Sequence, residues 1–157
     1  MTDDRETVSY DTVREQIAPC GLNCGKCALH IDGEIKQLSA ALGDALGPNF
    51  GSYAQRLFSA VDPVFEGYEA FRALLDYFAH GSCRSCRSGE CPFSLCRVRE
   101  CVVERGVDFC FQCDLFPCDR SGMSGPLLEK WRANNESMKE LGAVKYYKKV
   151  RDLPRYP

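Results

Sequence analysis

The stretch CRSCRSGECPFSLCRVRECVVERGVDFCFQCDLFPC, running from Cys83 to Cys118, carries eight of the eleven cysteines in this 157-residue chain. Its other apolar side chains are few, among them Phe93, Leu95, Val98, Val102, Val107, Phe109 and Phe116. Burying so small a set gives too little free energy to offset the chain entropy lost on ordering the segment, so a cross-link is expected. The opening MTDDRETVSY is polar and acidic, without the apolar centre of a signal peptide. A reducing, cytoplasmic location is therefore expected, and in that setting clustered cysteines indicate metal rather than disulfides. Magnitude points the same way, since a structural zinc site contributes about 10–16 kcal/mol against about 2–5 kcal/mol for a native disulfide.

The cysteines repeat a spacing. Cys83, Cys86 and Cys91 read C-x2-C-x4-C, and so do Cys110, Cys113 and Cys118. A C-x2-C pair in a tight turn sets two sulfurs on one ion, and two such pairs complete a tetrahedral site, which makes Cys83, Cys86, Cys110 and Cys113 one expected ligand set. The alternative keeps each triplet together, with Cys96 and Cys101 completing the two sites. Spacing leaves both open.

A third group lies upstream in CGLNCGKC, where Cys20, Cys24 and Cys27 read C-x3-C-x2-C. On a helix these positions share one face, although Gly21 and Gly25 argue for a loop in part of the stretch. His30 and His80 are candidates for a fourth ligand, each weighed against an ordinary structural histidine, and Cys118 is another candidate. The same spacing binds the cluster of radical S-adenosylmethionine enzymes, but those embed it in a large βα barrel, for which this chain is too short and has no strand–helix repeats. Zinc, as two or three ions, is the expected cofactor, with an iron–sulfur cluster as the alternative. The ferredoxin run C-x2-C-x2-C-x3-C-P is absent.

Charge narrows the partners. The net charge is -2, with none of the basic excess of a polyanion-binding protein, so nucleic acid is not the expected partner. No apolar run is long enough to cross a bilayer. Between Cys83 and Arg120 every basic residue is arginine (84, 87, 97, 99, 105 and 120), balanced by six acids. Guanidinium donors beside a four-thiolate zinc site of net charge about -2 would orient the sulfurs and offset their charge.

Outside the cysteine-rich stretch the chain reads as helix. Ile31, Ile35, Leu38, Leu42 and Leu46 recur at helical spacing from Ala28 to Gly47-Pro48, and a weaker helix is expected near Tyr53–Val61. Asp62-Pro63 caps a third, whose stripe Val64, Phe65, Tyr68, Phe71, Leu74, Leu75 and Phe78 reads as core. Ser124 and Pro126 open a fourth, and Gly142 separates it from a fifth over Ala143–Arg151. That last helix interleaves Lys145, Lys148, Lys149 and Arg151 with Tyr146 and Tyr147, read as a solvated face with one tyrosine turned inward. The expected fold is mainly α: a small helical domain with an irregular, metal-stabilised cysteine-rich half. The expected division is a metal-binding domain over 17–120 with a helical insertion at 28–80, and a helical extension over 121–157 packed on it.

Taken in order, IAPCGLNCGKCALH, GSCRSC and CRVRECVVERGVDFCFQCDLFPCD resemble a family of cysteine-rich bacterial and archaeal proteins known only as a domain of unknown function. Its members share a CGLxCxxC opening, a middle CxxC, and a C-x-I-R-x-C-A-x-E-K-G segment leading into C-x2-C-x4-C. The likeness spans about Ile17 to Asp119 and meets all eleven cysteines, with Val98 and Val102 where the family often has isoleucine and alanine. The family commonly has tyrosine in the place of His30, which speaks against that residue as a ligand. The resemblance implies metal binding and brings no substrate or reaction. No Ser/His/Asp set and no phosphate-binding glycine loop is present, so no catalytic residue is assigned. The expected role is a noncatalytic binding or scaffold module that presents a surface to another protein, with iron–sulfur or thiol redox function as the alternative.

Overall fold

Ser9 starts the first helix: its hydroxyl accepts the Thr12 amide at 3.0 Å, satisfying one of the amides a helix start leaves without a partner. The computed structural model describes residues 7–156. They form seven α-helices: α1 (Tyr10–Gln16), α2 (Glu34–Leu46), α3 (Phe50–Ala60), α4 (Tyr68–Ala79), α5 (Val98–Arg105), α6 (Gly125–Leu141) and α7 (Ala143–Val150). The described residues contain no strand, only an isolated antiparallel bridge between Ile17 and Asn23. The fold is mainly α. It divides into two compact units, one made of the segments up to Gly25 and from Cys83 onward, the other Lys26–Ser82.

The discontinuous unit is organised by α6. Trp131 and Met138, two turns apart on one face, are 1% and 0% exposed. Trp131 joins Ala18, Cys20, Cys24, Val98, Val102 and Cys110 in one apolar cluster, and Met138 joins Val13, Ile17, Phe109, Ala143 and Tyr146 in another. Between them Asn135 is fully buried with both ends of its side-chain amide paired: its NH2 donates to the Trp131 carbonyl at 3.0 Å and its oxygen accepts the Phe111 amide at 3.0 Å. Such satisfaction is what makes a buried amide tolerable. Gly142 ends α6 as the sequence leads one to expect, and Tyr146 is the tyrosine of α7 that turns inward.

Two helices of this unit escape a reading by periodicity. α1 and α5 have seven and eight residues, too few for a repeat of apolar positions to stand out. α5 buries only Val98 and Val102, one turn apart, and closes on Gly106 in the left-handed conformation (φ 64°).

In Lys26–Ser82, α2 packs on α4, and Arg72 of α4 donates to the Gly43 carbonyl at 3.3 Å while pairing with Asp76. Asp62 caps the turn Pro63–Gly67, its carboxylate accepting the Val64 amide at 2.8 Å. Two expectations need correction. The helix expected from Ala28 begins at Glu34, because residues 27–33 close successive turns, His30 N–H to the Cys27 carbonyl and Gly33 N–H to that of His30. The stripe from Val64 to Phe78 is not a buried core: Val64 is 72% exposed, Leu74 58% and Phe71 43%, and of its members only Leu75 is buried. Three helices of this length have too few packed faces to cover every apolar position of α4.

Candidate metal centre

The first cysteine turn follows α1 directly. Beyond Ile17 the chain doubles back, Ala18 N–H donating to the Leu22 carbonyl and Gly21 N–H to that of Ala18, both at 2.8 Å, while the Cys24 amide bonds the Gln16 carbonyl at 2.6 Å. Gly21 has φ 85°, and a Cβ there would lie 2.5 Å from Cβ of Asn134, so glycine is what lets this turn press against α6. Cys20, Cys24 and Cys27 consequently do not share a helical face; the stretch is turn, and Cys27 belongs to the Lys26–Ser82 unit.

Cys20 and Cys24 are buried, and their thiol neighbours come from far along the chain. Burial pushes the Cys20 thiol well above its ordinary range; the Leu22 amide opposes this by hydrogen bonding the sulfur, and the thiols of Cys86, Cys96 and Cys24 add to it. Burial likewise pushes Cys86 up to about 12, assisted by Cys24, Cys96 and Cys91 and opposed by Arg87. Cys96 is raised by burial, with the Val98 and Arg99 amides, at the start of α5, bonded to its sulfur and favouring the thiolate. Cys20, Cys24, Cys86 and Cys96 thus form one neighbourhood, with exposed Cys91 beside it. The Cys96 segment is fixed from behind by the Arg97 amide, which donates to the Ser121 carbonyl at 2.9 Å.

A second neighbourhood adjoins the first. Cys110 opens the short 3-10 turn Cys110–Gln112, and its thiol is pushed up to about 11 by burial, with Trp131 opposing and Cys101, Cys118 and Cys96 adding to the rise. Arg120 pairs with Glu104 of α5 at 2.7 Å and is raised by that partner first, then by Cys101, with a smaller contribution from Cys118. Cys86 and Cys110, members of one expected four-thiol set, lie in the same apolar cluster, and Cys96 neighbours both. Of the remaining candidates, Cys113 donates its thiol to Asp114 at 3.6 Å, and Cys83 is half-buried at the start of its loop. His30 accepts the Asp32 amide at its Nδ1, and the His80 ring N–H donates to the Asp76 carbonyl at 2.7 Å, both within the Lys26–Ser82 unit.

A polar frame that the sequence did not suggest holds the Cys86 loop. The Arg87 guanidinium donates to the Arg14 and Asp108 carbonyls, each at 2.8 Å, and lies 4.9 Å above the Phe109 ring. Burial lowers its pKa, and Asp108 works against that. The Asp108 carboxylate is gripped by Arg14 at 2.8 Å and by the Tyr10 hydroxyl at 3.0 Å. Gln112 closes the frame, accepting the amides of Asp108 and Phe109 and donating to Tyr10. The run of arginines among the cysteines was the signal available in sequence; the carbonyl partners of Arg87 were not.

No disulfide joins any of the eleven cysteines. Among the described residues, no three His, Cys, Asp or Glu side chains are set as ligands around one point. The donor chemistry nevertheless fits a thiophilic ion: neutral thiols clustered in an apolar core, with backbone N–H groups aimed at two of the sulfurs.

Residues 16–123, more than half of the chain, match the model of the family described as "Protein of unknown function (DUF3795)". The chain belongs to that family. Neither a curated protein nor a solved structure is similar enough to count as a match. No helix of the described residues is long and apolar enough to cross a membrane.

Proposed function

We propose that this is a cytoplasmic metal-binding protein, zinc by preference, in which thiolate-held ions stabilise a noncatalytic module that presents a surface to another protein. The observation that carries the reading is the convergence of Cys20, Cys24, Cys86 and Cys96, drawn from two distant segments, in the core of one unit. Four thiolates are the donor set of a closed structural zinc site, whereas a catalytic zinc keeps a position for water. Amide donors from Leu22, Val98 and Arg99 support the ionised form of two of these sulfurs. Neutral buried thiols close around an ion as they lose their protons, so ligand geometry need not exist before the ion arrives.

Metal analysis of protein purified anaerobically without added metal tests the reading. One or more zinc ions per chain and a colourless solution are expected. Less than one metal per chain, with the cysteines recovered oxidised, would sink the proposal. A brown protein with broad visible absorbance would replace zinc with an iron–sulfur cluster and move the function to electron transfer or redox sensing.

A further inference from the structure

Where α2 packs on α4, Gly43 lies against Leu75: a Cβ at Gly43 would stand 3.9 Å from a Leu75 methyl. Lys36, near the start of α2, donates to the Gly81 carbonyl just past the end of α4 at 2.8 Å, and Arg72 of α4 reaches the Gly43 carbonyl. The two helices therefore run antiparallel. Each contact residue is preceded by a leucine, Leu42 before Gly43 and Leu74 before Leu75. One residue is about 100° of helix turn, so each leucine stands about a quarter turn back from the contact line. In antiparallel helices that same rotation leads to one common side of the pair. Leu38, a turn before Leu42, and Phe71, a turn before Leu74, extend the stripe along both helices.

This side is left in water: Leu38 is 62% exposed, Leu74 58%, Leu42 44% and Phe71 43%. The two helices carry six charged residues, Glu34, Lys36, Asp44, Glu69, Arg72 and Asp76, and none falls in this sector when counted round from Gly43 and Leu75. Surfaces that meet a different, separable protein are about as polar as the rest of the molecule, whereas faces between like subunits are more apolar. A charge-free stripe offers no group by which a foreign protein would be selected, and it sets no like charges against each other when it meets its own copy. Size agrees. The four side chains leave roughly 400 Å² of apolar surface exposed, the scale of patch that marks an interaction site. Two copies would cover twice that, and Ala45, Ala70 and Tyr77 at the outer edges bring the total to about 1,000 Å², the least a specific interface needs.

We propose that this protein associates with a second copy of itself through the α2–α4 face, with Leu38, Leu42, Phe71 and Leu74 of one protomer packing against the same residues of its partner about a two-fold axis. Two antiparallel helix pairs laid face to face make a four-helix arrangement in which each stripe covers the other. An interface at the lower limit of area gives a reversible dimer that depends on concentration. Of the eleven cysteines only Cys27 belongs to Lys26–Ser82, so this association stands apart from the metal-binding reading above.

The test follows the full-length protein, with its thiols reduced, by sedimentation velocity across the micromolar range. Mass should rise from 17.6 kDa in dilute solution to twice that value as concentration increases. Leu42→Glu and Leu74→Glu should each weaken association by about 100-fold or more, because a carboxylate would be buried in both copies without a partner. Both leucines are exposed in the single chain, so helix content and unfolding midpoint of the monomer should be kept. If a glutamate variant fails to fold, Leu42→Ala and Leu74→Ala carry the test, each weakening association by about 10-fold. Asp44→Asn, on the opposite side of α2, should leave association unchanged. Protein that stays monomeric throughout overturns the proposal, as does a dimer that survives both glutamates or one that Asp44→Asn disrupts as strongly. Monomer that instead binds vesicles of anionic lipid through Leu42 and Leu74 would assign the face to a membrane and overturn it equally. Protein that binds no metal yet dimerises through Leu42 and Leu74 refutes the metal reading alone and leaves this one standing.

Discussion

The Tyr146 hydroxyl donates to the Gly21 carbonyl at 2.7 Å, joining α7 to the first cysteine turn across 125 positions of sequence. Both partners are buried, so Tyr146→Phe leaves a carbonyl without its donor. The expected cost is about 1–3 kcal/mol, read as a lower denaturation midpoint at unchanged slope. A midpoint equal to that of the parent protein would mean that the bond contributes nothing to stability.

The same phenol gives a pH signature. Burial, with a smaller contribution from Cys20, pushes Tyr146 up to about 12. A phenol raised above its unfolded value of about 10 contributes stability that is complete below that pH and is lost as pH rises through the folded value. Tyrosinate absorbance of the folded protein should therefore contain a late step near pH 12 that Tyr146→Phe lacks. Identical titration curves for the two proteins would contradict this.

Two glycines at positive φ separate backbone strain from close approach. Gly106, at φ 64°, has open space where a Cβ would stand, so Gly106→Ala should cost about 1–2 kcal/mol from conformation alone. Gly21→Ala meets Asn134 as well and should cost more, by about 1 kcal/mol or above. Thermal unfolding of the two variants side by side decides it, and equal losses would mean that α6 yields freely.

Arg87→Lys retains the charge but loses the planar fork that reaches the Arg14 and Asp108 carbonyls together. A loss above about 1 kcal/mol is expected, measured by denaturant unfolding. Full stability in the lysine variant would reduce the frame around the Cys86 loop to a surface contact.

Ten of the eleven cysteines lie in the discontinuous unit. Chelation under reducing conditions should accordingly speed amide hydrogen exchange in α5 and the cysteine loops while α2 and α4 keep their protection. Exchange that rises equally in both units, or in neither, would count against metal as the stabilising element of that unit.

The helices with long periodic runs and explicit caps were legible from sequence. Asp62, Gly142 and the inward tyrosine of α7 sit as the residues imply, because caps and glycine stops act locally. The exposed stripe of α4 was not, since spacing reports which residues share a face and not whether anything covers it. The cysteine spacing named candidate ligands and left their grouping open. A C-x2-C pair constrains sulfurs within one turn, whereas the neighbours of Cys86 and Cys110 are set by where α1, α5 and α6 carry distant segments. Trp131 read only as an apolar anchor of a helix, and its burial in one cluster with Cys110 emerges from the fold.

The discontinuity of the cysteine-bearing unit imposes an order of events on the ribosome. Cys20 and Cys24 are synthesised first, and the whole of Lys26–Ser82 must follow before Cys86 and Cys96 exist. At about 5–20 residues per second this is a delay of roughly 3–11 s. Throughout it the nascent chain offers half of a four-thiol set, while the contacts of α2 with α4, being local, are free to form. Final closure of the unit must wait for translation of α6 and α7, whose Trp131 and Tyr146 complete its two apolar clusters.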